Sequence, residues 1–320
     1  MEVSLVIPVF DEEESLRELY SRLSGVLSGI NKEYEIIFID DGSRDSSFKI
    51  LKDICSGDKN VRVIRFRRNF GQTAAFAAGF KYAGGDVIIT LDADLQNDPA
   101  DIPKLLEKID EGWDVVSGWR KDRKDKFLTR ILPSMLANKL ISRITGVRLH
   151  DYGCTIKAYR GDIAKNIELY GQMHRFIPAL ARWVGADVTE VVVGHHPRKY
   201  GKSKYGLLRT VNVILDLITV KFLMSYSTKP IQIFGLVGFG SGFAGLLMFL
   251  YAFYERQRYL VPMGNRPMFF LSVLLFIVGV QFISMGLLSE LQVRTYHESQ
   301  GKPVYSIKEI VGGGGKGEEG

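Results

Sequence analysis

Two carboxylates stand one residue apart in Leu91-Asp92-Ala93-Asp94-Leu95-Gln96, directly after the apolar run Asp86-Val87-Ile88-Ile89-Thr90. The run reads as a buried strand, so the pair sits where a strand opens into a loop. Burying both carboxylates unpaired would be costly. A divalent cation resolves the conflict, because hard carboxylate oxygens suit Mg²⁺ or Mn²⁺ and such ions commonly hold substrate phosphates as well. Taken alone, Asp-x-Asp is equally at home in a surface loop, so its company decides.

Part of that company is basic. The net charge is +6, concentrated in Arg65-Phe66-Arg67-Arg68, in Arg120 to Lys126 and in Arg198 to Lys204. Basic runs with interleaved aromatics bind phosphates, in nucleic acid or in anionic lipid. Apolar segments downstream favour lipid, so nucleic acid is not the expected partner. Arg120 follows a strand-like run, and a guanidinium there suits bidentate grip on a donor or acceptor phosphate. Cys55 and Cys154 are too few for a disulfide framework and read as free thiols. His195 and His196 have no carboxylate at a metal-binding spacing and read as loop residues bordering the site.

These groups need elements to position them. Strand-like runs at Val3 to Val9, Glu35 to Ile39, Val61 to Phe66, Asp86 to Leu91 and Asp114 to Gly118 alternate with amphipathic stretches. The latter begin near Glu12, Ser46, Gln72 and Asp101. This alternation predicts an α/β domain with a mainly parallel, Rossmann-like sheet, whose ligands gather at the C-terminal strand ends. Those ends carry Pro8 to Glu12, Asp40-Asp41-Gly42-Ser43, Asp92 to Gln96 and Arg120. The Asp40-Asp41-Gly42-Ser43 segment also has the composition of a turn with a helix cap.

Residues 231–254 and 267–289 carry no formal charge. Each run, about 23–24 residues and about 35 Å as a helix, is long enough to cross a hydrocarbon core of about 30 Å. They predict a transmembrane hairpin, and Gly238 and Gly242 form a small-xxx-small pair suited to close helix contact. No basic-then-apolar leader precedes the first strand, so the N-terminal domain is expected in the cytosol, and two spans return the C-terminal side there. Two further basic amphipathic segments, Lys126 to Gly146 and Tyr205 to Phe222, are expected to lie in the membrane interface. The glycine-rich tail after Ile310 reads as disordered. The expected division is therefore a nucleotide-binding core at 1–125, an acceptor-side part at 126–204, a juxtamembrane helix at 205–229, the hairpin at 230–290 and a cytosolic tail at 291–320.

Several motifs together resemble a known family. Val6-Ile7-Pro8-Val9-Phe10-Asp11-Glu12-Glu13, Ile39-Asp40-Asp41-Gly42-Ser43 and Leu91 to Gln96 are similar to the inverting GT-A glycosyltransferases of family 2. The chain also resembles their polyprenyl-phosphate branch, which includes dolichyl-phosphate mannose synthases and GtrB-type glucosyltransferases. Asp151-Tyr152-Gly153-Cys154, Ala158-Tyr159-Arg160 and Gly201-x-Ser203-Lys204-Tyr205 look closest to bacterial undecaprenyl-phosphate 4-deoxy-4-formamido-L-arabinose transferases.

The resemblance implies a metal-dependent enzyme of the bacterial inner membrane, moving a hexosyl or pentosyl group from a nucleotide sugar to polyprenyl phosphate. It implies that Asp94 is the main ligand of Mg²⁺ or Mn²⁺, with Asp92 and Gln96 assisting, and that Pro8, Phe10, Glu12 and Asp41 hold the nucleoside beside Ala93. Arg120 and Arg198 would grip the donor, and Arg130 and Lys204 the acceptor phosphate. Asp151 is the candidate general base. A lipid phosphate has its second pKa near about 6, so orienting the nucleophile or supporting a basic residue are open alternatives for Asp151. A UDP-linked donor is favoured over GDP-mannose. Relatives form tetramers, which makes a homo-oligomer an expectation by resemblance.

Other readings are weaker. Processive polysaccharide synthases carry Gln-x-x-Arg-Trp and more spans; here Arg182-Trp183 is preceded by Ala179 in place of that Gln. A non-catalytic membrane adaptor has no use for an intact acidic pair.

Overall fold

The computed structural model describes residues 1–121, 132–169, 173–197, 199, 231–259, 262, 267–299 and 304–312. Two compact units divide the chain: one takes residues 1–220 together with 303–320, the other residues 221–302.

The first unit contains an eight-stranded sheet. In chain order its elements are β1 (Val3–Val9), α1 (Leu16–Ser28), β2 (Tyr34–Asp40), α2 (Ser47–Gly57), β3 (Val61–Phe66), α3 (Gln72–Tyr82), β4 (Val87–Thr90), α4 (Ile102–Asp110) and β5 (Val115–Trp119). Then follow α5 (Leu132–Thr145), β6 (Lys157–Arg160), α6 (Gly161–Lys165), α7 (Ile177–Trp183) and β7 (Val188–Val192), with β8 (Ile307–Val311) arriving from beyond the second unit. The five anticipated strands form within a residue or two of their expected limits, and the four helices start at or shortly after their expected positions.

The strand order is β7-β5-β6-β4-β1-β2-β3-β8. β4, β1, β2 and β3 pair in parallel, as does β5 with β7. β6 lies antiparallel between β4 and β5, and β8 antiparallel beside β3. Six strands therefore share one direction and open their C-terminal ends on one edge. Because β6 runs the other way, the residues that precede it arrive at that same edge.

Strand alternation sorts the core. Val3, Leu5, Ile7 and Val9 of β1 join Leu16, Leu19 and Leu23 of α1, Leu51 of α2 and Leu105 of α4 in one cluster of fully buried side chains. The opposite face packs on α3, where Gly79 lets the helix close onto Val6. Phe80 of α3 meets Tyr159 of β6 edge to face at 5.3 Å.

The second unit contains α8 (Ile231–Tyr259) and α9 (Pro267–Ser299). Two stretches, Phe234–Tyr259 and Pro267–Ser289, are long and apolar enough to span a membrane. Their large apolar side chains face outward, with Leu236 77% and Phe239 73% exposed, the opposite of a soluble core helix and the expected state of a lipid-facing hairpin. Glycines are spent inside the hairpin: a Cβ on Gly238 would come 2.8 Å from the Gly279 carbonyl oxygen, and one on Gly279 would come 2.7 Å from that of Gly238.

The tail differs most from expectation. α9 continues to Ser299, and the chain then supplies β8 as the sheet's last strand. Tyr305 stacks on Phe66 with centroids 5.1 Å apart, the Arg67 N–H donates to the Ser306 carbonyl at 3.0 Å, and Arg65 bridges Glu309 at 3.6 Å and Asp40 at 3.2 Å. Short apolar alternation in Ile307-Lys308-Glu309-Ile310 was the available signal, masked by the glycine run that follows. Val311 and Gly312 are ordered; the remainder of the expected disordered tail lies outside the described residues, as do the amphipathic segment at 205–222 and residues 126–131 of the earlier one.

Gly312 closes this junction with φ +83°, and an added Cβ would strike Cys55 Sγ and come 2.5 Å from the Val61 carbonyl oxygen. Gly312→Ala is expected to destabilise the protein by about 1–3 kcal/mol. Gly25, exposed within α1 with nothing inside 4 Å of such a Cβ, should respond oppositely, Gly25→Ala stabilising by about 0.5–1 kcal/mol. Thermal unfolding of both variants in detergent checks the pair of signs.

Candidate active site

β4 is buried along its length, and the chain leaves it through Leu91, whose N–H still donates to the Val6 carbonyl at 3.2 Å. The acidic pair follows at once. Asp92 is held through both oxygens: Oδ1 accepts from Gln72 Nε2 at 2.7 Å and Oδ2 from Thr155 Oγ1 at 2.6 Å. Asp94 is 7% exposed, and its Oδ1 accepts the Gln96 N–H at 3.1 Å. Ala93 and Leu95 are buried, and Leu95 takes φ +62°, a backbone state that a branched side chain adopts only when its surroundings enforce it.

Those surroundings come from two later loops. The His196 N–H donates to the Gln96 carbonyl at 2.9 Å, Asn97 bridges His195, and Asn97 Nδ2 donates to Thr155 Oγ1 at 3.0 Å. The histidines thus border the acidic loop as expected. The carboxylate absent from their sequence neighbourhood is supplied by the fold, with His196 Nε2 3.0 Å from Asp98 Oδ2.

At the C-terminal end of β2, Asp40 Oδ1 accepts the Ser43 N–H at 3.0 Å, which makes the anticipated turn. Asp41 points the other way. Its two oxygens accept the N–H groups of Phe70 at 2.7 Å and Gly71 at 2.9 Å, immediately before α3. Burial pushes Asp41 up to about 6 despite those two donors. The loop after β1 lies alongside: the Asp11 N–H donates to Ser43 Oγ and the Glu12 N–H to Ser47 Oγ, at 3.1 and 2.9 Å. Pro8, Phe10 and Glu12 are half-buried on this loop. The first two strand-end loops are therefore zipped together beside Asp41.

Arg120, just past β5, meets Asp151 in a two-pronged bridge, Nε to Oδ2 at 2.7 Å and an Nη to Oδ1 at 3.1 Å. Both side chains are largely buried, 14% and 4% exposed. Burial works against the guanidinium's charge, but Asp151 more than offsets it and holds Arg120 above the ordinary arginine range. Lys157, the first residue of β6, is also buried; its ammonium donates to the carbonyls of Tyr152, at 3.3 Å, and Cys154. Burial pulls Lys157 down to about 8 and lifts the neighbouring Cys154 thiol to about 11. Gln72, Thr155 and Lys157 were not singled out from sequence; only their places beside a glycine loop and a Cys-containing turn hinted at them.

The site thus brings together Asp41, Asp92, Asp94, Gln96, Arg120 and Asp151 at one sheet edge. Arg130, Arg198 and Lys204 lie outside the described residues. Burial drives Asp92 up to about 6, and the charge of Asp94 adds to the rise. Among the described residues no three His, Cys, Asp or Glu side chains cluster to enclose a metal. The donor set nevertheless fits a divalent cation that keeps part of its coordination for a ligand: two crowded carboxylates, all-oxygen chemistry and a mutual repulsion that a cation would relieve.

Comparison with known proteins agrees with this geometry. Residues 4–168 match the family model "Glycosyl transferase family 2". The chain is 42% identical to a dodecaprenyl-phosphate galacturonate synthase of Rhizobium johnstonii, over 97% of this chain and 93% of that one. It is also 42% identical to an undecaprenyl-phosphate 4-deoxy-4-formamido-L-arabinose transferase of Shewanella sediminis, with the same coverage. Among solved structures, glucosyl-3-phosphoglycerate synthase from Mycobacterium tuberculosis, crystallised with Mn²⁺ and UDP-glucose, superposes with a TM-score of 0.54 at 16% identity. That match covers 70% of this chain and 78% of that one, a likeness of fold.

Asp92 yields a test that needs no substrate. Its folded pKa of about 6 lies above the unfolded value of 3.8, so its contribution to stability is present below about pH 4 and lost as pH rises through 6. Asn at this position can accept from Thr155 and donate to a turned Gln72 amide. Asp92→Asn is expected to stabilise the metal-free protein at pH 8 by about 1–3 kcal/mol, the gain shrinking to nothing near pH 4. Denaturant unfolding across that range checks it, and an equal gain at all pH values would contradict it.

Proposed function

Because the chain belongs to glycosyl transferase family 2, we propose that it moves a sugar from a UDP-linked donor to a polyprenyl phosphate at the cytosolic face of the bacterial inner membrane. The observation that carries this reading is the meeting, at one sheet edge, of the acidic pair with a buried guanidinium. Arg120 lies near enough for its charge to act on Asp92. The hairpin supplies a reason for a lipid acceptor, and both relatives act on a polyprenyl phosphate by name. Return of the chain after α9 into the catalytic sheet as β8 supports one side of the membrane for both flanks of the hairpin.

The chemistry is a single displacement. An oxygen of the acceptor phosphate attacks the anomeric carbon, a new C–O bond forms as the bond to the donor diphosphate breaks, and the nucleoside diphosphate leaves with the electron pair. The configuration inverts. Asp94, with Asp92 and Gln96, would hold Mn²⁺ or Mg²⁺, which supplies charge neutralisation to the departing diphosphate. Pro8, Phe10, Glu12 and Asp41 form the nucleoside side, with Ala93 in the floor. Arg120 grips phosphate oxygens, a role that suits a planar fork held at fixed angle. Arg198 is assigned to the donor and Arg130 and Lys204 to the acceptor phosphate. The self-association implied by family likeness is kept as part of the proposal.

For Asp151 the bridge favours one of the three roles open to it. Both of its oxygens are committed to Arg120, and the Gly153 N–H also donates to Oδ1. An acceptor that is largely dianionic near neutral pH needs little help losing a proton. Asp151 therefore acts by holding Arg120.

Transfer of labelled sugar from UDP-linked, but not GDP-linked, donors into polyprenyl phosphate, dependent on added Mn²⁺, is the expected result for the purified protein. No transfer from any UDP-sugar, with activity from GDP-mannose instead, would replace the donor assignment. Asp151→Asn and Arg120→Lys should each lower kcat about 10- to 100-fold. The double variant should lose scarcely more than either, since the two act as one unit. Multiplying losses, or an acidic limb in the wild-type pH profile that disappears in Asp151→Asn, would restore an independent base.

A further inference from the structure

Gln72 opens α3, and the residues around it are each tied to a different wall of the site. Phe70 and Gly71, just before it, give their N–H groups to Asp41. Thr73, just after it, shares a 2.9 Å hydrogen bond between its Oγ1 and His174 Nδ1. With its backbone held on both sides, Gln72 sends its side chain to Asp92 Oδ1 at 2.7 Å. A carboxylate only accepts, so the amide must face it with nitrogen.

Thr155 completes the grip from the loop before β6, donating to Asp92 Oδ2 at 2.6 Å while accepting from Asn97 Nδ2. Each Asp92 oxygen thus carries one donor and keeps lone-pair capacity, and the plane of the carboxylate is set from two elements, α3 and the loop before β6. Asp94 accepts the N–H of Gln96 in its own loop. From this we propose that Gln72, with Thr155, is a positioning residue that sets Asp92 for the divalent cation. The inference rests on the assignment of Asp92 and Asp94 to that cation.

Partners that orient a ligating carboxylate commonly govern metal affinity by about 10- to 100-fold. A residue that matters only for folding would not. The test uses the full-length protein in detergent and Mn²⁺ alone as the probe, with free Mn²⁺ followed by its EPR signal. Gln72→Leu, close in size but unable to donate, should weaken Mn²⁺ binding about 10-fold and raise the Mn²⁺ concentration needed for half-maximal transfer by a similar factor. Saturating Mn²⁺ should restore kcat to within a few-fold of wild type, and metal-free melting should be unchanged. Thr155→Val should act in the same direction and Thr155→Ser should not, which keeps the test open if the Gln72 variant misfolds.

Mn²⁺ affinities within twofold of wild type for both Gln72→Leu and Thr155→Val would overturn the inference. Asp94→Asn separates the two levels. If it loses Mn²⁺ while Gln72→Leu and Thr155→Val keep it, only the positioning role falls. If Asp94→Asn binds Mn²⁺ as wild type does, the metal assignment falls and this inference with it.

Discussion

The bridge between Arg120 and Asp151 depends on β6 entering the sheet against the direction of its neighbours. A strand parallel to β4 and β5 would deliver residues 151–156 to the far edge of the sheet. Reversed, it brings Asp151 to Arg120, Thr155 to Asp92 and the carbonyls of Tyr152 and Cys154 to Lys157 within the single stretch Asp151 to Lys157. The remaining features of the site lean on that delivery. Asp92 and Asp94 come from one side of the inserted strand and Arg120 from the other, and neither half is complete without the loop between them.

Charge explains why the arrangement is so heavily buttressed. Half-buried Asp92 and the buried Asp94 and Asp151 share the site with the largely buried Arg120 and the buried Lys157. Arg120 and Asp151 form a direct, two-pronged pair, the kind that offsets its own desolvation. Burial, outweighing the hydrogen bond from Thr155 and the attraction of Arg120 and Lys157, pushes Asp92 upward, and burial likewise pushes Lys157 downward. The crowding of Asp92 and Asp94 is a repulsion that a bound cation would relieve.

Much of this was legible because strand-end chemistry is local. The run Val87 to Thr90 followed by two aspartates, and Asp40-Asp41-Gly42-Ser43 after an apolar strand, carry an element and its strand-end carboxylates in the same few residues. The hairpin was equally plain, since twenty uncharged residues admit few other fates. What stayed hidden depends on partners far away in the chain. Gln72 meets Asp92 across 20 residues and Thr155 meets it across 63, and a glutamine or threonine at a helix start or in a turn looks ordinary. The tie between His196 and Asp98 spans 98 residues. β8 was missed for another reason: its short alternation is followed by glycines whose composition resembles a disordered tail, although the first of them, Gly312, is what lets the strand seat against Cys55.

The position of β8 also orders events during synthesis. β1 to β7 emerge from the ribosome first, yet the exposed edge of β3 has no partner until both apolar helices have been made. At about 5–20 residues per second, the interval between β7 and β8 lasts several seconds. Through that interval the nascent sheet carries an open edge beside Arg65 and Asp40, the kind of surface on which chains aggregate. Closing it waits on the synthesis of both apolar helices, which precede β8 in the chain. Completion of the sheet is thereby placed after the whole apolar segment has been made, and a chain cut short before residue 307 keeps that edge open.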